Sequence, residues 1–122
     1  MIKLTFCLVR LPHLSRAEFQ AYWFDKHGPL VASVAETLRI RRYVQLHSLP
    51  AEASAGLREA RAGPEGFDGV AELWFDSLEA LAENARRPEA QAAGALLLED
   101  ERRFIDLPKS PLWWGNEQVI VG

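Results

Sequence analysis

The sequence predicts an α+β domain in which two strand–helix units flank a strand-to-strand link. Three observations predict it. Residues 2–9 and 40–49 place apolar side chains on alternate positions, and residues 69–75 form a third apolar, strand-like run. Residues 16–38 and 78–98 repeat apolar side chains at steps of three and four, as helices do. The resulting order, βα, β, βα, β, is the split βαβ arrangement of ferredoxin-like folds.

The elements follow in order. Ile2, Leu4, Phe6 and Leu8 share one face of the first strand. Pro12 lacks an amide donor and ends it. Ser15 and Glu18 have the spacing of a capping box, which satisfies the first free amides of a helix. That helix carries Phe19, Tyr22, Trp23, Lys26, His27 and Leu30, and Gly28-Pro29 predicts a kink or a break after His27. Its continuation carries Val31, Val34 and Leu38. In the second strand Ile40, Val44 and Leu46 share one face, and Tyr43, Gln45 and His47 the other. Residues 50–67 hold prolines, glycines and serine and read as a long loop with a helical turn around 57–62. After the third strand, Asp76-Ser77 caps a helix through Leu78, Leu81 and Ala85. Pro88 punctuates it, and a further helix runs through Ala92, Ala93 and Leu96 to Leu98. Residues 99–103 read as its solvated end, and residues 104–107 as a short fourth strand. The tail carries Trp113 and Trp114 and ends in strand-like Val119-Ile120-Val121.

The 122 residues suit one domain spanning 1–122. A hydrophobic fraction of 48% supports a packed core and argues against disorder. Fourteen basic against seventeen acidic residues leave a net charge of −3, which argues against nucleic acid as a partner. No apolar run has the length of a membrane span. The single Cys7 excludes an internal disulfide and a thiolate-rich zinc site, and it reads as a small buried strand residue. No signal-peptide pattern opens the chain, so a reducing, cytoplasmic setting is expected.

Two helices can cover only one face of a four-stranded sheet. Val9, Tyr43, Trp74 and Phe75 leave apolar surface on both faces, and Trp113 and Trp114 add more from the tail. A homodimer is expected, sheet against sheet, with the C-terminal tail gripping the partner; the alternative is a monomer whose tail folds back on its own sheet.

Residues Arg10 to Val31, with Pro12, Ser15, Phe19, Tyr22, Trp23 and finally His27-Gly28-Pro29, resemble the EthD family. The blocks 68–77 and 100–106 are similar to the same family further along the chain. The resemblance implies a dimeric α+β barrel, here with an extra helix and a C-terminal tail strand. Founding members of the family accompany a cytochrome P450 system that degrades ethyl tert-butyl ether. Fungal relatives are dehydratases or decarboxylases of polyketide intermediates. Related barrels include cofactor-free monooxygenases, cyclases and haem-degrading enzymes.

His27 is the first candidate for catalysis. It lies four after Trp23 and eight after Phe19 on the apolar helix face, and its ordinary pKa suits a general acid or base. Its ring can equally bond a carbonyl freed by Pro29 or cap the helix end. Glu72 sits between Ala71 and Leu73, where a desolvated carboxyl gains the raised pKa of a general acid. The alternative is an ion pair with an arginine such as Arg41 or Arg42, or exposure to water at the sheet edge. His47 is a second acid/base group or an orienter, or simply structural. Phe19, Tyr22, Trp23, Tyr43 and Trp74 are candidates to line a pocket for a flat aromatic ligand, though each also serves as core or interface. No metal site, glycine-rich phosphate loop or serine elbow is evident.

The leading expectation is a cofactor-independent enzyme, an EthD-like oxidoreductase or lyase, that takes a hydrophobic, aromatic or polyketide-like small molecule through dehydration, decarboxylation, cyclisation or cofactor-free oxygenation. The alternatives are a non-catalytic accessory protein of an oxygenase system, and a haem-binding protein with His27 as axial ligand.

Overall fold

The computed structural model describes residues 1–122. Strands β1 (Ile2–Leu8), β2 (Arg42–His47), β3 (Gly69–Phe75) and β4 (Leu112–Gly115) form one antiparallel sheet in the order β2-β3-β1-β4. Helices α1 (Arg16–Tyr22) and α2 (Gly28–Leu38) connect β1 to β2, and α4 (Leu78–Asn84) and α5 (Pro88–Glu101) follow β3. A short α3 (Ala55–Glu59) lies in the link between β2 and β3. This is the ferredoxin-like α+β fold.

The helix expected to kink or break after His27 is not broken there. Ser15 caps it with both hydrogen bonds of the capping box. Residues Trp23–His27 then form a π turn, which leads directly into α2. The Gly28 amide reaches back five residues to the Trp23 carbonyl, and the wider turn accommodates the Pro29 ring, which would press on the carbonyl four residues earlier. Trp23 and His27 both stay on the buried face.

The edge strand also differs from expectation. Residues 104–107 contribute only an isolated bridge, Ile105 to Arg10. The fourth strand is instead the tail, whose Trp114 lies opposite Leu4 and Trp113 opposite Thr5. The tryptophans thus extend their own sheet rather than reaching away from it. Val119, Ile120 and Val121 form no strand and are exposed.

Register assigns every strand residue to a face. Leu4, Phe6 and Leu8 stand opposite Leu73, Ala71 and Gly69, which stand opposite Tyr43, Gln45 and His47; all of these look toward the helices. Phe19, Trp23, Phe104 and Leu8 are the largest fully buried side chains, each worth about 1.5–3 kcal/mol of burial. Cys7 is buried as expected. Buried Asp68 ties the start of the fold together: it accepts from the Arg10 amide (2.8 Å) and from the side chains of Arg10 and Arg16. No helix is long and apolar enough to cross a membrane.

Candidate active site

A cavity of about 230 Å³ lies between the helix layer and the sheet. It exceeds the ~150 Å³ that accommodates a benzene ring. Of its 17 lining residues 14 are hydrophobic, and none is lysine or arginine. The polar lining comes from three elements: His27 on the π turn, Tyr43 on β2 and Glu101 at the end of α5.

His27 is held from behind. Its Nδ1 lies 2.7 Å from Oδ2 of Asp100, and both side chains are buried. Tyr22 donates its hydroxyl to the other carboxylate oxygen at 2.6 Å. Burial raises the Asp100 carboxyl, but the hydrogen bonds from Tyr22 and His27 outweigh it and leave it below its ordinary value. Burial lowers His27, and the nearby carboxylate only partly offsets this. The pair is therefore an ionised Asp100 and a neutral imidazole whose Nδ1–H is donated to it. The second nitrogen, Nε2, keeps its lone pair for the cavity, as in histidines oriented by a carboxylate.

Glu101 is the complementary group. Burial, followed by the charge of Asp100, pushes it up to about 7. A base that is unprotonated near neutrality and a carboxyl that is still about half protonated there thus share one apolar chamber, which is the arrangement acid–base chemistry needs.

The structure brings together only some of the residues expected from sequence. His27, Trp23 and Tyr43 line the cavity. Glu72 does not: it opposes Thr5 and Val44 on the other face of the sheet, where it pairs with Lys3 at 2.6 Å. The period of two decides this, because its neighbours Ala71 and Leu73 take the helix side. Trp74 is on that outer face too, between the cationic groups of Lys3 and Arg42 and bonded to Glu117. Phe19 is fully buried in the core beneath Trp23 and Phe104 and does not reach the cavity. Tyr22 holds Asp100 instead of lining the pocket. His47 stacks on Trp23 at 4.5 Å and bonds Gln45, outside the cavity wall.

Asp100 and Glu101 are missed by the solvated-end reading of α5. The signal that finds them is the stripe Ala90, Ala93, Leu97, at steps of three and four: the next members are positions 100 and 101. No group of three His, Cys, Asp or Glu side chains is placed to hold a metal ion. A haem does not fit this site, because the chamber is smaller than a tetrapyrrole and has no cation for its propionates.

Fold and site define a ferredoxin-like α+β domain with a carboxylate-held histidine in an apolar chamber. The chain belongs to the EthD family, whose domain model matches residues 11–108. It is similar to an ethyl tert-butyl ether D (EthD) family protein from Bacillus halodurans, at 20% identity and a TM-score of 0.61, over 97% of this chain and 100% of that one. A dimeric protein of unknown function and ferredoxin-like fold from Bacteroides fragilis matches at 12% identity and 0.59, over 95% of each chain. SnoaB, a cofactor-independent oxygenase from Streptomyces nogalater, matches at 14% identity and 0.50, over 98% of this chain and 94% of that one. At these identities the likeness shows the fold. No curated protein matches the chain.

Proposed function

We propose that this protein is a cofactor-independent enzyme that moves a proton on a flat, hydrophobic, aromatic or polyketide-like molecule. The carrying observation is the 2.7 Å contact between His27 Nδ1 and buried Asp100, which leaves the other imidazole nitrogen to the apolar cavity. His27 acts as general base and Glu101 as general acid. Proton transfer of this kind contributes about 10²–10⁴-fold, and exclusion of water by the apolar lining strengthens it. Removal of a proton is the first step shared by dehydration, cyclisation and cofactor-free oxygenation. SnoaB, a cofactor-independent oxygenase, has a similar fold and is compatible with this reading. The test is α-deuterium incorporation into 2-tetralone, a small bicyclic carbon acid, in D₂O. Wild type accelerates exchange and His27→Gln falls to the protein-free rate; equal exchange by both overturns the assignment.

We further propose a homodimer formed through the outer sheet face. Leu46 and Trp113 are 55% and 52% exposed there, beside Val44 and Val70. A patch of this kind on a sheet with helices on one side only marks an interface. The Bacteroides fragilis protein of similar fold is described as dimeric.

A further inference from the structure

The cavity that holds His27 does not end the apolar space between helices and sheet. A second hollow of about 280 Å³ adjoins it, and Leu4, Leu38 and Phe75 line both. The antiparallel course of α2 and α5 orders the two along one axis. His27 meets Asp100 where α2 begins and α5 ends. Leu38 and Ala90, at the opposite ends of the same helices, line the second hollow. On α5 the lining passes from Glu101 through Leu97 and Gly94 in the cavity to Gln91 and Ala90 beyond it. The helical rise separates Glu101 from Ala90 by about 16 Å.

The two compartments differ in chemistry. The first carries the ionisable groups His27, Tyr43 and Glu101. The second has no ionisable side chain in its lining. Its two amides turn donors to the protein, Asn84 to the Thr37 carbonyl and Gln91 to the Ala85 carbonyl, both at 3.0 Å. Trp114 forms part of its wall and meets Phe75 edge to face, with ring centroids 5.5 Å apart. Trp114 opposes Leu4, so it faces the helices, away from the outer sheet face that carries Trp113. Two hollows that share three walls meet at a waist. A rigid fused-ring plane keeps its width along its length and does not suit a waist, whereas a hydrocarbon chain does.

We propose that the second hollow takes an alkyl tail of the substrate, which has a flat head and an acyclic hydrocarbon chain on the side away from the exchanging carbon. This deepens the proton-transfer reading and rests on it for the head. The head lies in the chamber of His27 and Glu101, and the chain passes Leu4, Leu38 and Phe75 toward Trp114. Apolar surface taken from water supplies the binding, about threefold to fourfold per buried methylene. Ala85, Ala90 and Trp114 are specificity residues: they limit the length of the chain and touch no reacting atom.

The test compares 2-tetralone with its 6-ethyl, 6-butyl and 6-hexyl derivatives, whose chains lie opposite the ketone on the long axis of the rings. A linear three-ring analogue replaces the chain by a fused ring. In wild type, KM for deuterium exchange falls about 100-fold or more from 2-tetralone to the hexyl compound. The three-ring ketone gains less than the butyl compound. Ala85 is exposed at the rim of the hollow, so Ala85→Trp fills it without entering the core. This variant stops the fall at the shorter chains and raises KM for the hexyl compound about tenfold or more. Trp114→Ala removes a wall and also raises it, with folding checked by circular dichroism. Dissociation constants of the same ketones on His27→Gln, read by tryptophan fluorescence, repeat the comparison without turnover. A KM indifferent to chain length, a fall that both variants leave intact, or a preference for the fused ring overturns the tail compartment. If exchange of 2-tetralone still requires His27, the proton-transfer reading then stands. If binding tightens with chain length and depends on Ala85 and Trp114, but His27→Gln exchanges at the wild-type rate, the compartment is upheld and the base assignment fails.

Discussion

His27 and Asp100 are 73 positions apart in sequence, yet the imidazole Nδ1 and the carboxylate Oδ2 are 2.7 Å apart. The contact joins the π turn to the last turn of α5, two of the segments that line the helix side of the cavity, with α2. Asp100 sets the tautomer: with its proton fixed on Nδ1, the ring can only accept at Nε2. Asp100→Asn removes that preference and the charge that partly supports protonation of the ring. Turnover of 2-tetralone exchange is expected to fall by about 10²–10⁴-fold with little change in KM. The acid limb of the kcat profile moves to lower pH, since His27 is already lowered by burial and loses the carboxylate that raised it. An unchanged rate and limb would show that Asp100 is only structural.

Glu101 gives the opposite sign from most carboxylates. Its carboxyl is raised from an ordinary 4.5 to about 7 in the folded chain. Below about 4.5 it is protonated in both folded and unfolded states and has no linkage effect. Between about 4.5 and 7 the unfolded chain has released the proton and the folded chain has not, so stability falls as pH rises. Above about 7 the loss is complete. Glu101→Gln removes the buried charge and should raise urea stability by about 1–3 kcal/mol at pH 8, and by almost nothing at pH 4. His27 and Asp100, both lowered, act the other way. His27 loses its contribution as pH falls below about 6.5, and Asp100 loses its own lower still. Equal urea midpoints for Glu101→Gln and wild type at pH 8 would contradict the burial of Glu101.

Gly69 opens β3 directly beneath the Trp23 indole. A Cβ at this position would overlap Cζ3 of that ring, stand 2.8 Å from Cη2 and 2.9 Å from the Leu46 carbonyl oxygen. Neither neighbour can yield, because Trp23 is fully buried and stacked on His47 and the carbonyl belongs to β2. Gly69→Ala is expected to lose about 1–3 kcal/mol and to displace the indole. Denaturation measures the first effect, and the near-ultraviolet circular dichroism of Trp23 reports the second.

What the sequence makes legible follows its periodicities. Period two gives β1, β2 and β3, the capping box gives the start of α1, and the i, i+4 relation puts Trp23 and His27 on one face. The face of Glu72 is not legible, because a single-residue shift of register exchanges the two sides of a sheet and β3 has apolar residues on both. The carboxylates of α5 are not legible as buried, because only tertiary contact with Tyr22 and His27 gives Asp100 its partners. The edge strand is not legible, because residues 104–107 and 112–115 are equally apolar, each with three apolar side chains in four. Pairing with β1 selects the latter.

The outer sheet face separates two architectures. Leu46 is 55% exposed on β2 and points away from the cavity, so a charge there leaves the His27 site and the core untouched in a monomer. In a face-to-face dimer the same charge would be buried against an apolar partner without a counter-ion, at a cost of several kcal/mol per ion. Leu46→Asp is therefore expected to weaken association by about 100-fold or more while leaving the unfolding midpoint of the isolated chain within about 0.5 kcal/mol. Trp113→Asp, on the same face of β4, should act alike. Light scattering after size-exclusion chromatography reads the mass: wild type at twice 13.7 kDa and both variants at 13.7 kDa support the interface. A wild-type monomer, or dimers that survive both substitutions, would place the contact elsewhere. All 17 residues that line the cavity belong to one chain, so monomeric variants are expected to retain His27-dependent exchange.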